Sequence, residues 1–262
     1  MSGETTHITQ SRRTFGPIIA GEAATQSGDD LELNGASNQV RPGGSGVSED
    51  DVGQTLWVTS GPAGWVPGSY RITAADLTFN RWTLDRAPAA AGASAGASWA
   101  IYPATTDPAK PDKFNYKGAI GVNGDKVEGC DVVTPKMDWT RTVSKAGASM
   151  AYFVGLMDLV GCKNGAPFYG FAAGDVLFNG ASGTYSLADR YSVTHRFGVS
   201  RGKANVAIIP GELTVPYKRG WDYLWVRYNT KVEPGSVAPR AAAAFVEEVY
   251  PDADFTLIGI GR

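Results

Sequence analysis

Two histidines, one G-x-S-x-G pentapeptide, one acidic run and one pair of adjacent glutamates are the residues of this 262-residue chain with the best claim to chemistry. Acyl transfer through serine or cysteine needs an imidazole beside the nucleophile. Only His7 and His195 can supply it, the first in a polar amino-terminal stretch and the second inside "RYSVTHRFGVS", where Tyr191, Val193, His195, Phe197 and Val199 alternate with small or polar residues. That alternation predicts a half-buried strand and a structural histidine. "GASAG", Gly92 to Gly96, has the letters of a nucleophile elbow around Ser94. An elbow sits between a buried strand and a helix, whereas Ser94 follows "RAPAAA" and precedes the strand-like "SWAIY", the setting of a hairpin loop.

The run "SEDD", Ser48 to Asp51, offers oxygens but lacks the spaced D-x-D-x-D-G and closing glutamate of a calcium loop. Ala241–Tyr250 reads as a strand, with a helix as the alternative on propensity, and if it is a strand Glu247 and Glu248 point to opposite faces and cannot flank one substrate. "GAIGVNG" and "SRGKAN" contain glycines and a GK without the spacing of a phosphate-binding loop. Cys130 and Cys162 are too few for a disulfide framework or a zinc knuckle, and read as buried thiols. The reading is of a non-enzyme without cofactor or metal, with a serine hydrolase using Ser94 as the alternative from another class.

The elements that would carry these residues are mostly strands. Thirty-three glycines and 15 prolines break the chain into short β-like runs, and the prediction is a mainly β protein: an antiparallel barrel or sandwich with one packed helix, plus a small amino-terminal β domain. Residues 1–27 read as a polar arm. Residues 28–102, with "TLWVTS", "SYRITA", "RWTLDR" and "SWAIYP", read as a compact and peripheral β module. "PATTDPAKPDK", 103–113, reads as a Pro-rich linker. Residues 114–262 read as the main β domain, with Asn123-Gly124 as its strongest hairpin signal and a helix near 148–162. That helix is apolar all round, which calls for cover on more than one side.

Lys and Arg number 8 against 12 Asp and Glu in residues 1–113, and 16 against 14 in 114–262, so neither part is basic enough to hold nucleic acid or an anionic membrane. No signal-peptide core and no run of about 18 apolar residues occurs, which predicts a protein made in the cytoplasm and kept out of membranes.

"GWDYLWVRYNTKV", from Gly220, sets Trp221, Tyr223, Trp225 and Arg227 on one side of a strand whose other side, with Leu224 and Val226, is also apolar. Interfaces between subunits are enriched in aromatics and arginine, so these four residues are the candidate subunit interface, with a strand sandwiched between sheet and helix inside one subunit as the alternative.

The succession "FYGFAAGDVLFNGASG", "DRYSVTHRFGVS", "KRGWDYLWVRY" and "AAFVEEVYPDADFTLIGIG" resembles phage and prophage virion structural proteins of the tail-tube type, over roughly residues 114–262. "DVGQTLWVTSGPAGWVPGSYRI" with "WTLDRAPAAAGASAG", through Trp65, Gly68, Tyr70 and Leu84-Asp85-Arg86, is similar to a small β unit of phage structural proteins. The resemblance implies a β-barrel or sandwich with a flanking helix, assembling with itself into stacked hexameric rings. It also implies contacts with other virion proteins and a lumen that passes DNA without binding it tightly. A capsid decoration or head-tail joining protein is the structural alternative.

Overall fold

The computed structural model describes residues 13–102, 126–129, 134–186, 190–210, 212–233 and 236–260. The linker 103–113 and the Asn123-Gly124 turn lie outside these residues, as do His7 and Cys130. In chain order the strands are β1 (Arg13–Ile19), β2 (Gln26–Leu33), β3 (Gln39–Arg41), β4 (Thr55–Ser60), β5 (Gly68–Asp76), β6 (Arg81–Leu84), β7 (Ala97–Ile101), β8 (Lys126–Gly129) and β9 (Lys136–Ala146). The helix α1 (Met150–Asp158) follows, then β10 (Lys163–Asn164), β11 (Val176–Ser186), β12 (Arg190–Ser200), β13 (Lys203–Ile209), β14 (Leu213–Lys218), β15 (Tyr223–Glu233), β16 (Ser236–Glu248) and β17 (Asp252–Ala253). The protein is mainly β, with antiparallel sheets and one helix among the described residues.

The chain divides into two compact units, each assembled from separate segments: 1–132, 204–218 and 223–247 make unit 1, and 133–203, 219–222 and 248–262 make unit 2. Unit 1 contains a closed barrel in the order β2-β3-β6-β5-β4-β7. Alternation sorts its side chains: in β4, Leu56 and Val58 point inward beside Tyr70, Ile72, Leu84 and Ile101, while Trp57 points out. Two tryptophans meet edge to face inside, Trp82 and Trp99, 5.3 Å between centroids. Each indole N–H donates to a carboxylate, Trp82 to Asp51 at 2.9 Å and Trp99 to Asp30 at 3.0 Å. The Trp99 bond and the Gly44 and Gly43 amides hold the Asp30 carboxyl below its ordinary range, against the smaller opposing effect of burial.

Unit 1 also holds the sheet β1-β16-β15-β8 and the β13-β14 pair. The outward Trp57 lies in one apolar cluster with Phe15, Ile18, Val206, Leu213, Val215, Leu224, Val226 and Val246. The division observed does not fall at 103–113, since Trp57 of the barrel lies in one buried cluster with Leu224 and Val226 of β15. The polar arm differs too, since Arg13–Ile19 is a strand whose Phe15 and Ile18 are buried. Strict alternation would send residues 15 and 18 to opposite faces. Gly16, at φ 103°, sits between them with a conformation that L side chains rarely adopt, and both then reach the same core.

Unit 2 is the sheet β17-β10-β11-β12-β9 with α1 on it. The β12 register pairs Phe197 with Trp139 of β9 and Phe178 of β11, and the inward face collects Phe178, Val193, Phe197 and Val199 against Leu156 and Leu159 from the helix end. Ser149 caps α1 by accepting the Tyr152 amide, and Gly161 at φ 78° follows its end.

Candidate functional site

Several of the residues with possible chemistry are tied into the fold among the described residues. His195 is buried, and its Nδ1 lies 3.3 Å from the Arg141 carbonyl, which can only accept, so Nδ1 carries the proton. Its Nε2 meets the Tyr152 hydroxyl at 3.0 Å. Burial, offset by the Arg141 carbonyl and helped by the nearby Lys145 charge, pushes the imidazole below its ordinary value, and burial pushes the Tyr152 phenol up. Both ring nitrogens are occupied by these contacts. Ser94 lies in the loop before β7, and its carbonyl takes the Trp65 indole hydrogen at 2.7 Å. "SEDD" forms a 3₁₀ turn in which Ser48 and Asp51 cap one another, and Asp51 is the buried carboxylate already bonded to Trp82. Among the described residues no group of three or more His, Cys, Asp or Glu could hold a metal ion.

An open groove of about 490 Å³ runs between the loop at Ala166–Phe168 and the turn Asp254–Thr256, with Gly259 and Ile260. Its carboxylate, Asp254, accepts the Thr256 amide at 2.8 Å and is held low by the Thr256 side chain first and by that amide second.

The four aromatic-strand residues separate. Trp221 precedes β15 and belongs to unit 2, where its Nε1 donates to the Asp175 carbonyl at 2.8 Å and its ring lies over Gly198. Tyr223, Trp225 and Arg227 are on β15 in unit 1. Trp225 is half-buried against Ala243 and Phe245 of β16, and Arg227 is buried within the single chain. Tyr223, 36% exposed and stacked along Trp225 at 6.4 Å, is the most exposed of the four.

Larger exposed apolar surface lies elsewhere, on unit 2. On α1, Met150 is 77% and Met157 72% exposed, and Val154 is exposed with them, as is Val160 just past the helix end. The opposite side of the helix is occupied: Tyr152 reaches His195 and the Ile258 carbonyl, Phe153 packs on Tyr191 at 5.2 Å, and Leu156 is buried. Spacing of 150, 154 and 157 makes one stripe along the helix. The sequence carries this signal as a helix apolar all round, without indicating which side the sheet covers.

A second exposed surface centres on Tyr169. Tyr169 and Gly170 have φ 50° and 80° in the two-residue turn between the bridged Phe168 and Phe171. A bulky residue at positive φ is strained, at a cost of order 1 kcal/mol. The strain presents the Tyr169 ring edge-on to Trp139 at 5.1 Å, with the Arg141 guanidinium 6.0 Å from its centroid. Nothing in the sequence marks this turn, since two-residue turns of this type favour Asn-Gly or Asp-Gly over Tyr-Gly. No helix among the described residues is long and apolar enough to cross a membrane. No protein-family model matches the chain, and comparison with curated proteins and with solved structures finds no match.

Proposed function

We propose that the protein is a self-assembling structural subunit, of the virion tail-tube kind that its sequence resembles, whose copies associate through unit 2. The observation that carries this reading is the exposed stripe Met150, Val154 and Met157 on α1, continued by Val160 just past its end, on a helix whose other side is packed. A contiguous apolar surface on an ordered element is a site of association. Its counterpart has a different character, with Tyr169, Trp139 and Arg141 supplying the aromatic and guanidinium groups that dominate interface energetics. Two dissimilar patches on one unit suit a head-to-tail contact, which closes into rings or extends as a tube. The near-balanced charge fits a conduit that does not retain DNA.

Sedimentation and negative-stain microscopy of the purified protein test the reading, alongside the double variant Val154→Lys, Met157→Glu. The wild type should form rings or tubes, and the variant should stay monomeric with its melting nearly unchanged, since exposed substitutions shift stability by within about 0.5 kcal/mol each. A wild type that remains monomeric at high concentration, or a variant that assembles normally, overturns it.

A further inference from the structure

Unit 2 buries a lysine among carboxylates. Lys163 on β10 has a side chain with no solvent exposure, and its Nζ lies 3.4 Å from Glu248 Oε1, 3.5 Å from Asp222 Oδ1 and 3.8 Å from Asp252 Oδ1. The Asp222 and Glu248 side chains are themselves only 3% and 4% exposed. Asp252 is 31% exposed and shared with the Arg219 guanidinium at 3.9 Å. Packing alone does not call for such a group, because a buried ion cluster is commonly no more stabilising than apolar residues of the same volume.

The hydrogen bonding is unequal in a way that points to reaction. Lys163 Nζ donates to Glu248, while Asp222 Oδ1 is buried and makes no hydrogen bond despite its distance from the nitrogen. The amine thus stands against the Asp222 carboxyl with its proton directed at another acid.

Both partners are held. The Lys163 amide donates to the Pro251 carbonyl at 2.7 Å, and β10 pairs with β11 on one side and β17 on the other. The next residue, Asn164, uses its side chain three times, donating to the Ala166 and Ala172 carbonyls and accepting the Val176 amide. Asp222 closes the turn from Arg219, and Trp221 anchors that turn through Asp175. Gly220 lies so close to Ser200 that a Cβ there would overlap its carbonyl, which fixes the turn flush against β12.

We propose that Lys163 and Asp222 condense into an intramolecular amide cross-link, with Glu248 as the catalytic residue that carries the proton. Glu248 takes a proton from the Lys163 ammonium, and the freed nitrogen lone pair attacks Asp222 Cγ. The Nζ–Cγ bond forms, and one Cγ–O bond breaks. The departing oxygen leaves as water, with the proton from Glu248 and a second proton from the nitrogen. An ammonium and a carboxylate become one amide and one water, with no change of oxidation state and no co-reactant. Fixed geometry makes the attack unimolecular, and exclusion of solvent removes the water that would favour the reverse reaction. Asp252 is the poorer acceptor, being wetter and paired with Arg219.

Intact mass spectrometry of the denatured wild-type chain, followed by peptide mapping, decides the matter. The chain should weigh one water less than its sequence and yield a branched peptide joining Lys163 to Asp222. Glu248→Gln, with an unchanged circular dichroism spectrum, should weigh the full sequence mass. A wild type at full mass after folding and prolonged incubation overturns the cross-link, as does a lost water that maps to a cyclised aspartate or to Asp252. A cross-linked Glu248→Gln overturns the role given to Glu248. The wild-type mass still decides the cross-link if the variant fails to fold.

Discussion

Trp57→Ala tests whether the barrel is a separable module or part of a larger core. The side chain is 1% exposed and projects from β4 away from the barrel interior, into the cluster that contains Phe15, Leu224 and Val226. A buried tryptophan removes about 150–250 Å² from water, which at about 25 cal/mol per Å² corresponds to about 4–6 kcal/mol. Partial collapse of the cavity lowers the expected loss to about 3–5 kcal/mol. For a chain of this size that is a fall in melting temperature of roughly 10 °C. Four of the seven tryptophans, Trp57, Trp65, Trp82 and Trp99, lie in residues 28–102, so indole fluorescence reports largely on the barrel while far-ultraviolet dichroism reports on all strands. Leu56→Ala, inside the barrel, is the companion variant. If barrel and sheet share one core, both substitutions lower the same transition, seen coincidently by both probes. Should Trp57→Ala leave the fluorescence transition where it is in the wild type while Leu56→Ala moves it, the barrel melts alone and the shared core is refuted.

Three further outcomes are expected. His195 titrates below its ordinary value of 6.5 in the folded chain, so the unfolded chain binds more protons as pH falls from 6.5 toward the folded value. Stability contributed by His195 is therefore complete above 6.5 and declines below it, and melting measured from pH 8 to 5 should show a downward slope that His195→Gln lessens. Tyr223→Ala should melt like the wild type, whereas Trp225→Ala should lose about 2 kcal/mol or more in urea unfolding, because Trp225 packs on Ala243 and Phe245 and Tyr223 meets solvent. Asp51→Ala leaves the Trp82 indole N–H buried without its acceptor and should cost about 1–3 kcal/mol by the same assay.

The short strands of the barrel were legible because each carries its own period and its own turn. "TLWVTS" is β4 from Thr55 to Ser60, and "SYRITA" and "RWTL" fall within β5 and β6. Helix α1 was legible in type but ends earlier than Asn164-Gly165 suggests. Gly161 takes the left-handed conformation, and Asn164 is instead the residue that pins the following loop. Long-range choices were not legible. Alternation in "TLWVTS" says that Trp57 faces away from Leu56 and Val58, but not that Val226, far along the chain, covers it. Trp221 shares the alternating pattern of Tyr223 and Trp225, yet the close approach of Gly220 to Ser200 turns the chain before β15 and assigns Trp221 to the other unit. The exposed stripe on α1 and the buried Lys163 were missed for one reason. Hydrophobicity marks what is buried on average, and both residue sets depart from the average.

The threading of unit 2 through 133–203, 219–222 and 248–262 has a consequence for biosynthesis. A chain leaving the ribosome completes the barrel residues early and can close that sheet while translation continues. Unit 2 cannot do likewise. When Lys163 emerges, none of Asp222, Glu248 and Asp252 has yet been made, and strand β17, which pairs with β10, follows β11 to β16. The surface that carries α1 is therefore organised only after residues 219–222 and 248–262 have been made, so on the proposed reading chains that still lack them cannot associate through it. Products of premature termination keep a barrel but no finished unit 2, and are excluded from any assembly built on it.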